Sequence, residues 1–333
     1  TEKYPPKTTL TITIIINLLV LFIFKYSNMV AGMFKFENWT EIVLPIGISF
    51  YTFQTLSYII DVYNNKIEPE KNVLFYALYV SFFPQLVAGP IERSETLLPQ
   101  LKNRDGIKSE NITQGLKLML IGFVKKIAIA DMLGVYANNI FNDIYNANGL
   151  LIVIGTLLFS IQILCDFSGY RDIAKGTAKL FNVDLMQNFD HPYRSGSIKE
   201  FWNRWHISLS TWLRDYIYFP MGGSRVNKFK WVINILVVFL VSGLWHGAAY
   251  TFVLWGLLHG IYRVVGELTG KFRNKAYEKL HINIESKPVK IFRIIITYLL
   301  VCFAWIAFRS NSFDEMIFAY KTIFTSWNFN ADY

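Results

Sequence analysis

The sequence predicts an all-helical protein that crosses a membrane several times, and its composition is the first observation that predicts this fold. Of the 333 residues, 53% are hydrophobic and 17% are aromatic, whereas only 17% are charged. Ordinary soluble domains carry roughly 25% charged residues. This composition excludes a water-soluble globule, and the abundance of apolar side chains excludes a disordered chain.

Long apolar runs separated by polar stretches are the second observation. Several runs approach the ~20 residues that a helix needs to cross a bilayer. The backbone inside a bilayer must satisfy its own hydrogen bonds, and the runs lack the alternation of barrel strands, so helix is the predicted state. The runs cover residues 10–24, 42–60, 73–91, 112–130, 150–165, 231–245, 249–265 and 291–308.

The distribution of positive charge predicts an orientation. If consecutive runs cross in opposite directions, the connecting stretches carry 22 Lys and Arg residues on one side and 6 on the other. The bias remains, at 12 against 6, when the long stretch 166–230 is left out. We therefore expect the basic side to face the cytoplasm. The net charge of +9 favours an anionic lipid or an anionic ligand over nucleic acid as a partner.

The chain has the form of a single integral-membrane domain over residues 1–333. It begins at Thr1 without an initiator methionine and stops soon after an aromatic-rich stretch. We therefore expect a fragment that lacks N-terminal and C-terminal parts of a longer protein. The first apolar run is not followed by a small-residue cleavage site, so no cleavable signal is predicted.

Residues 201–216 predict an amphipathic helix inside the long polar stretch. Aromatic and leucine side chains recur three and four residues apart and fall in one arc of a helix. Asn203, His206, Ser210 and Arg214 fall in a neighbouring arc. One interpretation is an interfacial helix with tryptophans at headgroup level. The alternative is a helix that dips into the membrane, so that His206 faces a cavity.

His246 is the strongest candidate for a chemical role. It ends a run that starts near Trp231, and fifteen helical residues span about 22 Å, less than the ~30 Å hydrocarbon core. We therefore expect His246 within the membrane, where an ionisable group is costly unless it faces a cavity or a partner. Gly243 and Gly247 permit close approach of a backbone or ligand. A neutral histidine bonded between helices is the alternative.

Two further histidines and a tryptophan are candidates for the same site as His246. His206 and His246 lie 40 residues apart and face one cavity if the 201–220 helix enters the membrane. A neutral imidazole is a suitable base for activating a hydroxyl. Trp245 is a further candidate because it precedes His246. His259 lies one turn after Trp255, and its pattern favours a packing or hydrogen-bonding role over membership of the site.

Charged residues in or beside apolar runs are additional candidates. Lys125 and Lys126 either snorkel to an interface or bind an anionic ligand on a cavity wall. Asp166 and Asp172 either orient a histidine, pair with Arg171 or belong to a polar helix end. Two prolines and a glycine interrupt the apolar stretch 82–93, which predicts a broken or re-entrant helix beside a cavity.

Familiar catalytic motifs are missing from the sequence. It has no Gly-x-Ser-x-Gly, His-Glu-x-x-His, phosphate-loop or dinucleotide motif. Cys165 and Cys302 lie in apolar runs, which excludes a disulfide scaffold and a zinc cluster, and no metal site is expected. The reaction class that remains is a group transfer assisted by a base, in which the substrate already carries an activated group. Cys165 as a covalent acyl carrier is the less favoured route, since a thiol in apolar surroundings is usually inert.

Five segments together resemble the membrane-bound O-acyltransferase family, in the branch that O-acetylates alginate, peptidoglycan and related envelope polysaccharides. The similarity runs in order from about residue 42 to 265. The sister branch that moves D-alanine onto teichoic acid shares much of the pattern, but residues 211–223 look more like the acetylation branch. The segments are FFPQLVAGPIER at 82–93, FVKKIAIAD at 123–131, CDFSGYRDIA at 165–174, FWNRWHISLSTWLRDYIYFPMGG at 201–223 and SGLWHG at 242–247.

The resemblance implies a fold and a set of roles. The fold is a ring of transmembrane helices around a central tunnel, with amphipathic and re-entrant helices. His246 matches the family's catalytic histidine, and His206 matches a second important histidine near the tunnel. Family members carry additional N-terminal and C-terminal helices. The remaining substrate or tunnel candidates are Asn203, Ser210, Arg214, Asp166, Trp245, His259, Lys125 and Lys126.

The implied reaction takes acetyl from a cytoplasmic thioester, acetyl-CoA, to a hydroxyl group without a bound cofactor. The acceptor is either an envelope polysaccharide or an extracytoplasmic esterase-like acetyltransferase partner, and the location is the bacterial inner membrane. D-alanyl or longer-chain acyl transfer is the alternative within the family. A polytopic transporter is the alternative outside it, because broken helices and buried ionisable groups also line solute pathways.

Overall fold

The computed structural model describes residues 7–34, 36, 40–86, 89–103 and 106–327. They form helices joined by turns and extended connections, with no β-strand among them, so the all-helical prediction is confirmed. The α-helices are α1 (Lys7–Phe34), α2 (Ile48–Tyr63), α3 (Val73–Ser81), α4 (Phe83–Leu86), α5 (Ser94–Lys102), α6 (Ser109–Phe123), α7 (Met132–Asn142), α8 (Gly149–Leu180), α9 (Ile198–Arg204), α10 (Ile207–Leu213), α11 (Lys228–His246), α12 (Tyr250–Leu268), α13 (Gly270–Lys279), α14 (Lys287–Arg309) and α15 (Phe313–Thr325). Short 3₁₀ segments cover Ile144–Asn146 and Pro192–Arg194, and π-helical segments cover Val124–Asp131 and Arg214–Tyr218.

Four helices among the described residues are long and apolar enough to cross a bilayer: α1, α8, α11 and α14. The other predicted runs form shorter, interrupted or less apolar helices. The run 73–91 is one of these, because α3 ends at Ser81 and α4 begins at Phe83. Pro84 cannot continue a helix across this point, since it has no N–H and its ring clashes with the carbonyl one turn before it. The predicted break in 82–93 is therefore present; Val87 and Ala88 lie outside the described residues.

The chain divides into two compact units, each with its own core. The first comprises residues 1–125 and 167–187. Buried side chains of α2, α3, α5 and the end of α8 form its main cluster, which includes Tyr58, Tyr79, Leu97 and Ala178. Burying such side chains away from water supplies most of the driving force for packing these helices in the protein.

Glycines bring α6 and α8 close together inside the first unit. A Cβ on Gly115 would lie 2.6 Å from the Gly176 carbonyl oxygen, and a Cβ on Gly122 would lie 2.6 Å from that of Gly169. Both pairs are seven residues apart, in opposite chain directions, so the two helices cross antiparallel over two turns. Small residues are the usual means of close helix contact in membranes, where backbones approach within van der Waals distance.

A carboxyl group is buried in the first unit between α4 and α5. Glu92 is only 1% exposed, and its Oε1 accepts a hydrogen bond of 2.6 Å from the Met186 N–H. Burial raises the pKa of Glu92 to about 7, although the Met186 N–H, Thr96 and the charges of Lys175 and Arg93 act to lower it. The side chain thus ties the connection before α5 to the segment after α8.

The second unit comprises residues 126–166 and 188–333. One of its clusters joins α7, α8, α14 and α15 through buried residues that include Phe141, Ile152, Ile306 and Ala319. Its most extensive helix pair is α11 with α12. These two cross at glycines, since a side chain on Gly243 would overlap the Phe252 carbonyl and one on Gly256 would overlap the Phe239 carbonyl.

The structure corrects the predicted helix over 201–216. The segment forms α9, a break at Trp205 and His206, α10 and then the π-helical segment. His206 has φ 44° and ψ 55°, a left-handed conformation that no continuous right-handed helix contains. Trp202, Trp205 and Trp212 are buried, so their rings pack inside the protein instead of lying at headgroup level. An interfacial helix is therefore wrong for this segment.

The predicted length of the helix before His246 is also wrong. α11 begins at Lys228, where the Asn227 side chain accepts a hydrogen bond from the Lys230 N–H. Its 19 residues extend about 28 Å, close to the ~30 Å hydrocarbon core. His246 is thus the last residue of a helix that nearly spans the hydrocarbon core. The expectation that a short helix starting at Trp231 would leave His246 inside the membrane therefore no longer holds.

Gly122→Ala tests the α6–α8 crossing. The added Cβ would meet backbone atoms of Gly169 and Ile173, which cannot move independently, so we expect a loss of about 1–3 kcal/mol in stability. Thermal unfolding in detergent, followed by tryptophan fluorescence, measures this loss. Gly32→Ala is the control, because nothing lies within 4 Å of its Cβ and alanine favours helix. Equal midpoints for the two variants would refute the close crossing.

Glu92→Gln tests the buried carboxyl group. The folded-state pKa of about 7 lies above the unfolded value of roughly 4.3, so the folded protein binds the extra proton. The associated stability is present in acid and is lost as the pH rises through 7. We expect the wild type to lose about 1 kcal/mol between pH 6 and pH 8, and the variant to lose less.

The measurement for Glu92 is the thermal midpoint at both pH values. Glu95→Gln is the matched control, since Glu95 lies three residues away and is exposed. It should keep the wild-type pH dependence. A Glu92→Gln variant with that same dependence would contradict the assignment.

Candidate active site

His206 and His246 lie together in the second unit. Their ring centroids are 6.2 Å apart, with the rings inclined at 69°. His206 is fully buried and Trp245 contacts both rings, at centroid distances of 5.6 Å and 5.0 Å. The sequence analysis expected both histidines to face one cavity if the 201–220 helix enters the membrane. The structure brings the two rings together, but neither imidazole lines the cavity described below. Their chemical roles stay predictions.

The backbone break that positions His206 is held by Asn188. The Asn188 carbonyl oxygen accepts a 3.0 Å hydrogen bond from the Ile207 N–H, and its side-chain oxygen accepts a 2.9 Å bond from the Ser208 N–H. Both donors are first-turn amides of α10, which no intrahelical carbonyl satisfies. Asn188 is completely buried, so its contribution to this turn is protected from water.

Aromatic rings surround His246. Trp255 lies 4.9 Å away and Phe308 lies 5.3 Å away, both edge-to-face, in addition to Trp245. The sources of these rings are α11, α12 and α14, so three helices of the unit fix the position of one imidazole. These rings restrict the orientation of the imidazole, and because His246 is only half-buried, part of it stays accessible.

His259 takes a hydrogen-bonding role. Its Nδ1 accepts a 3.2 Å hydrogen bond from Trp202 Nε1, and it is fully buried. A neutral His259 therefore carries its proton on Nε2, for which the described residues offer no hydrogen-bond partner. Trp255 stands between the histidines, because its ring contacts both His246 and His259. The sequence favoured this packing and hydrogen-bonding interpretation.

A cavity of about 530 Å³ lies beside the histidine pair. Three predicted polar residues line it: Asn203, Ser210 and Arg214. They stay on one side despite the break in their helix, because Asn203 comes from α9, Ser210 from α10 and Arg214 from the π-helical segment. The other residues that line the cavity are Lys199, Trp202, Ile207, Thr211, Leu213, Tyr218, Ile235, Val238, Phe239, Ser242 and Arg263.

The cavity has a basic exposed end and a buried apolar end. Lys199 and Arg214 are exposed and Arg263 is half-buried, whereas Trp202 and Phe239 are buried. Arg214 pairs with Asp215, and Arg263 pairs with Glu267. The surplus of positive charge suits an anionic group at the exposed end, and the apolar end suits an uncharged one.

The buried end of the cavity reaches positions next to both histidines. Ile207 follows His206, and Ser242 lies one helical turn before His246 on α11. The two imidazoles themselves do not line the cavity. Ser242 is 1% exposed, and among the described residues its Oγ has no hydrogen-bond partner. A buried hydroxyl in this condition costs free energy unless a ligand bonds to it.

The two lysines of the 123–131 segment pair with carboxylates of α8. In the first unit, Lys125 lies 2.5 Å from Asp172, which also pairs with Arg171 at 2.8 Å. In the second unit, Lys126 pairs with Asp166 and with Asp131, both at 2.7 Å. Lys126 and Asp166 do not line the cavity beside the histidines. These contacts agree with the alternative in which Asp172 pairs with Arg171.

Sequence reasoning singled out only Asn203, Ser210 and Arg214 of the cavity lining, and it missed Ser242, Lys199 and Arg263 among others. Ser242 stands out only by preceding His246 by one turn, and Lys199 lies outside every apolar run. Arg263 carried a usable signal, because it is the one Lys or Arg inside the apolar run 249–265. An ionisable residue at such a position is a candidate functional residue by default.

Comparison with known proteins agrees with these features. The sequence model of the membrane-bound O-acyltransferase family, MBOAT, matches residues 70–307. The chain is 37% identical, over 95% of its length and 62% of the relative's, to a probable alginate O-acetylase of Azotobacter vinelandii. It is 35% identical, over 92% of its length and 63% of the relative's, to a peptidoglycan O-acetyltransferase of Helicobacter pylori. The chain thus spans about six tenths of the length of both proteins.

A more distant relative is named for a different activity. The chain is 29% identical, over 81% of its length and 70% of the relative's, to a teichoic acid D-alanyltransferase of Bacillus subtilis.

Trp202→Phe tests the bond that orients His259. The change removes the only N–H of the side chain and leaves the buried His259 Nδ1 without its donor, which should cost about 1 kcal/mol of stability beyond the loss of ring volume. Trp255→Phe is the matched control, because Trp255 is equally buried, contacts the same imidazole and has an Nε1 without a hydrogen-bond partner in the described chain. Denaturant unfolding in detergent should show the larger loss for Trp202→Phe, and equal losses would contradict this role.

Proposed function

Because the chain belongs to the membrane-bound O-acyltransferase family, we propose that it is the catalytic part of an O-acetyltransferase that acts on a hydroxyl group of the cell envelope. The observation that carries this proposal is the pair of adjacent histidines beside a polar cavity, with His246 at the end of α11. His246 is the base, acetyl-CoA is the donor, and His206 positions a reactant.

The relatives favour acetyl as the group transferred. Two proteins named for O-acetylation are 37% and 35% identical to this chain, whereas a protein named for D-alanyl transfer is 29% identical. The acceptor class follows from the same names, alginate in one case and peptidoglycan in the other. An envelope polysaccharide, or an extracytoplasmic protein that passes acetyl to it, is therefore the proposed acceptor.

The reaction is a direct acyl transfer. The acceptor oxygen attacks the thioester carbonyl carbon while an imidazole nitrogen of His246 takes the hydroxyl proton. The bond from carbon to sulfur then breaks, and the thiolate leaves with the proton that the imidazolium returns. General-base assistance of this kind contributes about 10²–10⁴-fold to a rate.

Neighbouring groups supply orientation and charge stabilisation. The left-handed backbone at His206 and the contact with Trp245 fix the direction of the His206 ring. The centroid of this ring lies 6.2 Å from the centroid of the His246 ring. The Ser242 hydroxyl, one turn before His246, lacks a protein partner in the described chain and provides a donor for the thioester carbonyl oxygen. A positioned donor is worth most where negative charge develops in the transition state.

The lining of the first cavity supports coenzyme A as the donor. Lys199, Arg214 and Arg263 supply positive charge for its phosphate groups, and Trp202 and Phe239 supply an apolar wall for its uncharged arm. In the predicted orientation, Lys228 lies near the cytoplasmic face of the bacterial inner membrane and His246 lies at the other end of α11. Acetyl would therefore enter from the cytoplasm and meet the acceptor toward the opposite face.

Label transfer from [¹⁴C]acetyl-CoA tests the proposal. The full-length protein in nanodiscs, with an envelope polysaccharide as acceptor, should lose at least about 100-fold in rate on His246→Ala. His206→Ala should lose activity mainly through positioning, with thioester binding retained. His191→Ala is the matched control, because His191 is an exposed histidine paired with Asp190 and should stay within twofold of the wild type.

Two outcomes would overturn parts of this proposal. Full acetyl transfer by a folded His246→Ala variant would show that His246 is not the base. Transfer from a D-alanyl thioester with no transfer from acetyl-CoA would replace the donor while keeping the family mechanism.

A further inference from the structure

A second cavity, of about 550 Å³, lies in the second unit where α12, α13 and α14 meet. Its walls come from the last part of α12, from one face of α13 and from the first half of α14, with residues 196–199 closing it. This is the basic end of these helices, since α13 and the start of α14 carry several lysines and arginines. The proposed reaction uses only Lys199 and Arg263 of this lining, which the two cavities share.

Positive charge dominates the polar part of the second cavity. Four cations line it, Lys199, Arg263, Arg273 and Arg293, against a single carboxylate, Glu267. Arg263 pairs with Glu267 at 2.8 Å. The pKa of Glu267 is lowered chiefly by this hydrogen bond, so that the carboxylate is ionised near pH 7 and offsets one charge.

The two remaining arginines bond only to neutral groups in the described chain. Arg273 donates to Thr269 Oγ1 at 2.9 Å and to the Gly266 carbonyl at 3.1 Å, and Arg293 donates to the Gly196 carbonyl at 3.3 Å. These bonds hold both guanidinium groups at the cavity. Glu285, whose ion pair is with Lys290, interacts with Arg293 only electrostatically and forms no ion pair with it. Guanidinium groups bind phosphate oxygens in bidentate fashion, which makes an anionic phosphate the matching ligand.

The other wall of the second cavity is apolar and open to the surroundings. Phe292 and Ile296 of α14 line it and are 60% and 42% exposed, and Val265 of α12 is 50% exposed. α14 is one of the helices suited to cross a bilayer, so these side chains meet acyl chains. A ligand that fits both walls has a phosphate at one end and hydrocarbon at the other.

We infer that the second cavity binds the headgroup of an anionic phospholipid, with Arg273 and Arg293 on the phosphate and an acyl chain along Phe292 and Ile296. Basic pockets between membrane helices hold anionic headgroups in this manner. The exposed apolar wall favours a lipid over a free phosphate compound, because a lipid contacts both walls of the cavity and a free phosphate compound would contact only the basic one. Lys199 and Arg263 line both cavities, whereas Arg273 and Arg293 line only the second, so changing these two arginines leaves the proposed donor-binding residues in place.

Native mass spectrometry of the detergent-purified full chain tests this site with phosphatidylglycerol and phosphatidylcholine. The wild type should retain phosphatidylglycerol at least fivefold more than phosphatidylcholine. Arg273→Gln with Arg293→Gln should lower that retention at least fivefold. Lys275→Gln is the matched control, since Lys275 is an exposed cation of the same helix outside the cavity, and it should stay within twofold of the wild type.

The single variants, with thermal unfolding as a check on folding, separate loss of a ligand contact from loss of structure. Equal retention of the two lipids by the wild type, or an equal loss in Lys275→Gln, would overturn the inference. Binding of adenosine 3′,5′-bisphosphate that depends on both arginines, without any preference for phosphatidylglycerol, would overturn it in favour of a free phosphate ligand. Acetyl transfer by the double variant is expected within twofold of the wild type, which distinguishes the failure of this inference from the failure of the proposed reaction.

Discussion

The close crossing of α11 and α12 is the constraint on which the candidate site depends. Gly243 and Gly256 allow the two backbones to touch at carbonyls of the partner helix. That contact places Trp255 of α12 against His246 at the end of α11, while His259, one turn further along α12, also contacts the Trp255 ring. A side chain at either glycine would separate the helices and open the aromatic enclosure, so the position of the imidazole follows from backbone packing more than from any bond to the ring.

Around this crossing, some buried polar side chains have hydrogen-bond partners and another has none among the described residues. Asn188 holds the turn at His206 and Trp202 holds His259, both with buried hydrogen bonds. Ser242 at the inner end of the first cavity has no such partner among the described residues. Satisfied polar groups keep the site in one arrangement, whereas an unsatisfied one at the cavity is a position for a ligand.

The sequence predicted the helical class and the break in 82–93, because apolar run length and proline chemistry are readable along the chain. It placed His206 and His246 at one cavity only on the condition that the 201–220 helix enters the membrane. It failed where tertiary contacts override local pattern. The 3.6-residue periodicity of 201–216 indicated one helix, but bonds from Asn188 stabilise a left-handed residue in its middle. The start of α11 was missed because Lys228 and Lys230 belong to a helix whose apolar run begins later. The sequence could not place Arg263 in the cavity, because that placement depends on which helix faces pack around it.

The left-handed backbone at His206 is maintained by the packing of the ring that it carries. A non-glycine residue in this conformation is strained by about 1–2 kcal/mol, although histidine tolerates it better than branched residues. Glycine would relieve that strain, but it would leave a cavity where a fully buried imidazole packs against Trp245 and His246. The same side chain that strains the turn therefore fills the interior around it, so the strain and the two-histidine arrangement are kept together.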